Sequence, residues 1–544
     1  MTENKHISGI IITLTAVAVL ICFVAVCFSS ELTKIMGGLK VNMAYETELF
    51  DTSKIMSVDI IMDDDDWNDM LLNAQTEQYY VCDVLVNGKK FNNVGIRPKG
   101  NSSLLCIVVD KTSDRFSLKL EFDHFVEGQT CFGLDKLVLN NNFVDPTNMK
   151  EALIFDMYQY VDANSPLYNY AKVCRNGNYW GVYLALESID ESFMLRNYGT
   201  QDGELYKPEP AGMNMDEETD EEFPMSPVGA NLEYATDALY QYGSIWSTEV
   251  TRTTDKDHRR VVNALKNIKE RNDIEKYMNV DNILRYMAVH TFAVNEDSLT
   301  DYMPHNYYLY EYDGQLDILP WDYNMSFGAM TLVEENNSTK MINYPIDSPF
   351  YYGMQFFGAI LENEEYNARY HEYLQTLVDE YINGGRFDEF YSRTRSQIDT
   401  LVAQDPTAFY SAEEYDAAAD MLYKTVKLRG DSIDGQLKGT IASTTEAQRS
   451  VKGKPTLLDA SEIDLKVMGF MDDSIFENMT PEDADQELVM PPLPQRPVDP
   501  PSPANEILEI TEGYSRKKVI TLEICFGVMV VLVVALKFMK PKRT

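Results

Sequence analysis

From Val58 the chain alternates apolar and polar positions ("VDIIM"). It then reads "DDDDWNDML", where acids crowd the first turn of a predicted helix and suit its dipole. Period-two runs follow in "YYVCDVLVNG", "FNNVGIRPKG" and "RFSLKLEFD", with turns expected at Asn87-Gly88 and Lys99-Gly100. These runs predict an antiparallel β-rich unit ending near Leu139. The period then changes. In "DPTNMKEALIFDMYQYV" Asp145 can cap a helix, Pro146 fits its first position, and Met149, Leu153, Met157 and Tyr160 fall on one face. A hairpin is expected around Asn176-Gly177, followed by a helix containing "ESFMLRNYG". Helical spacing dominates from Ala235 to His290 and again from Glu362 to about Lys438. Between them lies a second strand-rich patch, Tyr307 to Phe327.

Two segments are too apolar for a soluble surface. Ile10 to Phe28 and Ile520 to Leu536 each have the length and composition of a membrane-spanning helix, and "KFMKPKRT" follows the second. A cleaved signal peptide is the rival reading of the first. Lys and Arg are balanced on the two sides of the spans and set no orientation. The signal-like start places the central domain outside the cytoplasm. The expected organisation is a span or signal anchor (1–30), a membrane-proximal segment (31–57), a central domain (58–440), a linker and stalk (441–505), a second span (519–538) and a basic tail (539–544). Within the central domain, 58–208 is mostly β-rich, 209–228 is an acidic insertion, and 229–440 is mainly helical with a hairpin over 297–328. The stalk reading rests on "MPPLPQRPVDPPSP", which can form neither a helix nor a central strand.

The 544 residues carry 47 basic and 86 acidic side chains, a formal net charge of −39, which argues against nucleic acid as a partner. That balance suits divalent cations and cationic partners. Of the seven cysteines, Cys22, Cys27 and Cys525 lie in the apolar spans. Cys82, Cys106, Cys131 and Cys174 remain, an even set that can pair or stay as free thiols. Without CxxC or His-rich spacing, a structural zinc site is not expected.

Candidate chemistry collects in a few places. "GIRPKGNSS" puts Arg97 and Lys99 beside Gly100, Asn101, Ser102 and Ser103, where backbone amides and hydroxyls can hold phosphate oxygens; an ordinary hairpin turn is the bland alternative. Lys119 points opposite to Leu118 and Leu120 on its strand, toward either solvent or a phosphate. Glu151 can orient that lysine from the following helix. Asp297, Asp301 and Asn306 follow the apolar helix end "YMAVHTFAV". An aspartate and an asparagine a loop apart can divide the work of accepting a hydroxyl proton and holding a metal. Asp322 stands between Trp321 and Tyr323, where a carboxylate is costly unless something positive meets it.

The strings "GIRPKGNSSL", "RFSLKLEFD", "LNNNFVDPTNMKEAL", "NYWGVYLALESID", "GELYKPE", "HNYYLYEYDGQ" and "LPWDYNMSFG" together resemble the spore coat protein H (CotH) kinase family. The likeness implies an α+β, two-lobed atypical protein-kinase-like fold, with a β-rich N-lobe and a mainly helical C-lobe. ATP and Mg²⁺ or Mn²⁺ would lie between the lobes. It implies that Arg97, Lys99, Gly100, Asn101, Ser102 and Ser103 cover phosphates, that Lys119 pairs with them, and that Glu187 helps hold the nucleotide. It also implies Asp297 as the catalytic acid, with Asp301 as the competitor, and Asn306 and Asp322 as metal ligands. The substrates implied are serine or threonine in proteins, often Lys/Arg-rich coat proteins, acted on at a membrane-anchored cell envelope. The rival reading from another class is a surface adhesin-like protein that binds without catalysing.

Overall fold

Strand alternation builds the first half of the molecule. The computed structural model describes Thr15 and residues 40–471, except 111, 211–228, 301–303, 331–336 and 351–353. Both apolar spans apart from Thr15, the stalk, most of the acidic insertion and Asp301 therefore lie outside the described residues. Among the described residues no helix is long and apolar enough to cross a membrane. Of the described residues, 42–196 and 203–471 fall in one compact unit.

The expected antiparallel unit is a closed barrel of seven strands. They are β1 (Met56–Ile61), β2 (Tyr80–Val86), β3 (Lys89–Lys99), β4 (Ser117–Glu121), β5 (Lys136–Asn140), β6 (Tyr168–Arg175) and β7 (Asn178–Glu187), in the order β1-β2-β3-β4-β5-β7-β6. The parallel pairing of β1 with β6, Val58 opposite Val173, closes it and leaves no open edge. The β-rich part expected of a two-lobed kinase-like fold is thus a closed seven-stranded barrel. A parallel seam joins strands far apart in sequence, so local periodicity carries no sign of it.

Ile60, Val84, Ile96, Leu118, Leu139 and Val173 fill the barrel. Because side chains alternate, Arg97, Lys99, Lys119 and Asn140 point outward. Register sets Arg97 opposite Lys119 and Lys99 opposite Ser117. Asn87-Gly88 and Asn176-Gly177 turn their hairpins with both residues at positive φ (48° and 80°; 50° and 79°), which asparagine and glycine tolerate.

A second sheet, β10-β9-β8, joins β8 (Glu204–Tyr206), β9 (Tyr307–Tyr312) and β10 (Gln315–Pro320). Among the described residues the helices of eight residues or more are α1 (Asp64–Leu72), α2 (Ser102–Val109), α3 (Lys150–Tyr160), α4 (Glu191–Tyr198), α5 (Asp255–Lys269), α6 (Val280–Ala293), α7 (Met354–Leu361), α8 (Glu364–Thr376), α9 (Arg386–Ala403) and α10 (Ala412–Leu437). The architecture is mixed α+β.

Three local expectations change. Gly100 does not turn back into a strand; it leads into α2, whose apolar side packs under the barrel's end. Asp145 caps from a distance: its Oδ1 accepts from Thr147 N at 3.0 Å and its Oδ2 from Lys150 N at 3.0 Å, so α3 begins after Pro146 rather than at it. Residues 441–471, read as the start of a linker, carry short helices and dock on the helical half, with Asn343 donating to Leu458 O at 2.9 Å. Cys82, Cys106, Cys131 and Cys174 are free thiols, and burial pushes Cys106 up to about 11.

Glu204 on β8 supplies a pH-dependent element of stability. Burial, against the Thr251 hydroxyl bond, pushes its carboxyl from 4.5 up to about 7, and Asp257 and Glu311 add to the rise. A carboxyl raised on folding contributes stability that is present below its unfolded value and is lost as pH climbs through its folded one. Glu204→Gln should therefore flatten part of the stability decline between about pH 4.5 and 7, as read by urea midpoints at pH 5 and pH 8.

Candidate active site

Two loops from the helical half face the outer surface of β3, β4 and β5. The first leaves α6 through Val294, at φ 47°. The carbonyls of Thr291 and Phe292, which the end of α6 leaves without helical partners, accept from Arg429 of α10 at 2.7 and 3.4 Å. The second loop follows β10 and is stitched to the first by Phe327 N to Ala293 O (2.7 Å), Gly328 N to Val294 O (3.0 Å) and Asn295 Nδ2 to Asp322 O (3.2 Å). Beneath both, His290 bridges them. Its Nδ1 lies 3.0 Å from the Tyr323 hydroxyl, and its Nε2 lies 2.8 Å from Thr300 and 3.2 Å from Ser298. Burial pushes His290 down to about 3, so it works as a neutral bridge.

These loops bring Asp297, Asn306 and Asp322 to the face that holds Lys99 and Glu151. Asp297 Oδ1 is 3.0 Å from His305 Nε2, while Asn306 Nδ2 donates to Asp297 Oδ2 (3.0 Å) and to its carbonyl (2.9 Å). Burial works against the charge on Asp297, but His305 and Asn306 hold its carboxyl below the usual range. Asp322 adopts φ 59°, a strained setting for a non-glycine residue. Burial pushes its carboxyl up against the pull of Lys99, and Asp297 pushes it further. Glu151, buried on α3, is driven to about 8 by burial and by Asp322. Its Oε2 accepts from Asn140 Nδ2 at 2.7 Å, and Asn140 Oδ1 accepts from Lys99 Nζ at 3.0 Å. The lysine–amide–glutamate chain thus runs through Lys99. Its ammonium also lies 5.6 Å from the centre of the Trp321 ring.

Other expected residues take other places. Lys119 sits one strand over. Burial, then Arg97 and Lys136, push it down to about 8. Arg97 pairs with Glu77 at 2.6 Å. Gly100, Asn101, Ser102 and Ser103 form the strand-to-helix turn into α2. Gly100 has φ 141°, and a Cβ there would meet Ser103 Oγ at 2.9 Å. Glu187 is fully buried and its carboxylate is occupied: Tyr45 (2.6 Å) and Arg196 Nε (2.9 Å) donate to Oε1, while Leu167 N (3.0 Å) and Arg196 Nη2 (2.5 Å) donate to Oε2. Its side chain belongs to that buried network, in which all of these donors are protein groups.

Several contributors were not singled out from the sequence. They are Asn140, Asn295, His305 and Lys207. Lys207 follows β8 in "GELYKPE"; burial opposes its charge, but Glu209 at 3.0 Å, Tyr308 and Asp322 hold it above the usual lysine range. A lysine directly after a short alternating strand was the available signal for it. Asn140 closes "LVLN" one position past the apolar run, where an amide has no local use.

A model of the CotH kinase protein family matches residues 96–433. The chain belongs to this family. The CotH match begins on β3 and ends on α10, so it includes every residue from Arg97 to Asp322 discussed above. The inner spore coat protein H of Bacillus subtilis (strain 168) is 24% identical over 319 residues, covering 58% of this chain and 81% of that protein.

Proposed function

We propose that this CotH-family protein transfers the γ-phosphoryl group of ATP to serine or threonine hydroxyls of a protein, with Mg²⁺ or Mn²⁺. The observation that carries this reading is the excess of carboxylate at one spot. Glu151 and Asp322 are pushed upward together, with Asp297 adding to the repulsion and Lys99 and Lys207 opposing it. The donor set fits a hard cation: the carboxylate of Asp322, and the Asn306 amide, whose nitrogen is committed to Asp297 and whose oxygen remains as acceptor. Bound there, the cation would neutralise phosphate charge.

The chain's own groups have separable tasks. Lys99, anchored by Asn140, meets phosphate oxygens. The Ser102 and Ser103 amides at the start of α2 offer N–H donors to the same anion, while Gly100 N donates to Glu77 Oε1 at 3.3 Å. Asp297 stays ionised beside His305 and takes the proton from the attacking hydroxyl. The acidic balance of the chain suits a Lys/Arg-rich protein substrate. The relative's name and the two terminal apolar spans support a coat or envelope location, with membrane anchoring.

The test separates Lys99 from Lys119. With labelled ATP, Mn²⁺ and a basic protein substrate, Lys99→Met should lower transfer by about 10²-fold or more, and Lys119→Met by less than about 10-fold. Transfer lost in Lys119→Met but kept in Lys99→Met overturns the role given to Lys99. No transfer by the unaltered chain with either Mg²⁺ or Mn²⁺ overturns the kinase reading.

A further inference from the structure

Pairing of β5 with β7, Leu137 opposite Glu187, has a consequence at the ends of both strands. It sets Asp135, which precedes β5, beside Asp190 and Glu191, which open α4. One carboxylate oxygen from each of the three lies within 4.8 Å of the others. None of them belongs to the Asp297–Asp322 constellation.

Acids at the start of a helix are ordinary, and Asp190 does serve α4: its Oδ1 accepts from Ser192 N at 3.1 Å and from Ser192 Oγ at 2.7 Å. Capping uses that oxygen alone. Asp190 is 2% exposed, and its Oδ2 is buried with no hydrogen-bond partner among the described residues. Oδ1 of the neighbouring Asp123 is in the same condition. A buried carboxylate oxygen without a partner is destabilising unless something positive meets it. Asp190 acts on two ammoniums, Lys119 and Lys136, and Lys136 is shared. It lies 3.8 Å from Glu121, and Asp190, Glu121, Glu191 and Asp123 all raise its pKa. Negative charge exceeds positive around the orphaned oxygen.

We propose that Asp135, Asp190 and Glu191 bind a divalent cation of the calcium type, in a second site independent of the phosphoryl-transfer cleft. Three carboxylates with no nitrogen or sulfur donor select a hard ion, and irregular all-oxygen sets suit calcium's loose geometry better than the strict octahedron of magnesium. Glu191 is exposed, which leaves one side of the ion to water. The site ties the β4–β5 connection to the start of α4, so its occupancy should register as stability.

The experiment uses the full chain without nucleotide, titrated with calcium chloride to about 10 mM, well above the affinities of extracellular calcium modules. The unfolding midpoint should rise by about 2 °C. Asp322→Asn should retain that rise, while Asp190→Asn and Asp135→Asn should lose it. In calcium-free buffer the last two should be at least as stable as the parent, because each relieves repulsion. Equilibrium dialysis on Asp322→Asn, which lacks the carboxylate of the cleft's own cation site, should still find one calcium per chain, a reading that holds even if the other variants fold poorly. Absence of bound calcium, or a thermal response that survives both Asp190→Asn and Asp135→Asn, overturns the proposal. A calcium response without phosphoryl transfer sinks the kinase reading alone. Transfer without a calcium response sinks this site alone.

Discussion

Asp322→Asn should lower phosphoryl transfer by about 10³-fold while leaving the unfolding midpoint unchanged or raised. The loss follows from taking a carboxylate away from the place on which Lys99 and Lys207 act and where the proposed cation would bind. The unchanged stability follows from the same electrostatics. Glu151 is pushed to about 8 partly by Asp322, so removing that charge relieves a buried like-charge pair. Asparagine also accepts the φ of 59° at position 322 more readily than most residues. Asp297→Asn should lose comparable activity but also stability, because it gives up the carboxylate charge that His305, at 3.0 Å, and Asn306 favour. Steady-state transfer and thermal unfolding, measured on the same preparations, decide both. An active Asp322→Asn enzyme would remove the metal role from that residue.

Arg115→Ala should destabilise the molecule by about 3–5 kcal/mol, read as a lowered urea midpoint. Arg115 is 2% exposed and joins the barrel to the helical half. Its Nε donates to Asn141 O at 3.0 Å, its Nη1 to Asp405 Oδ2 and Thr407 Oγ1 at 2.8 Å each, and its Nη2 to Val182 O. Asp405 also accepts from Val182 N at 2.9 Å, and its side chain is 1% exposed. Alanine leaves that carboxylate buried with its cation gone and three acceptors short of a donor. Arg115→Lys should recover little, since a single ammonium cannot reproduce the guanidinium fork or its packing 4.6 Å from the centre of the Tyr183 ring. Arg115→Ala with Asp405→Asn should be less damaged than Arg115→Ala alone, because the uncompensated charge is gone. If Arg115→Ala unfolds at the parent midpoint, the two halves are held by apolar packing instead.

Stability of this kind is invisible in one dimension. Arg115 and Asp405 are far apart in sequence, and "SDRFSL" reads locally as a polar approach to a strand. The same limit explains Lys99 and Lys119. Both stand on outward faces of alternating strands, and period two alone makes them equivalent. Register and the placement of α3 separate them. Asn140 and Glu151 reach Lys99, whereas Lys119 is flanked by Arg97 and Lys136. The network around Glu187 is half local: Arg196 follows nine residues later on α4, whereas Tyr45 lies 142 residues upstream and is not signalled near "LALESID".

What the sequence determined by itself is what short-range physics controls. The alternating runs became β2, β3 and β4, and Asn-Gly pairs turned two hairpins. The spacing from Glu362 to Lys438 became α8, α9 and α10, and the quoted strings identified the family. Pairing of distant segments belonged to the tertiary structure: the parallel β1–β6 seam that closes the barrel, the docking of 441–471, and the clustering of Asp297, Asn306 and Asp322 with Lys99 and Glu151. Local dihedral preference and hydrophobic period act over a few residues. Seam, dock and site depend on which surfaces meet, and that is decided only when burial across the whole chain selects one packing.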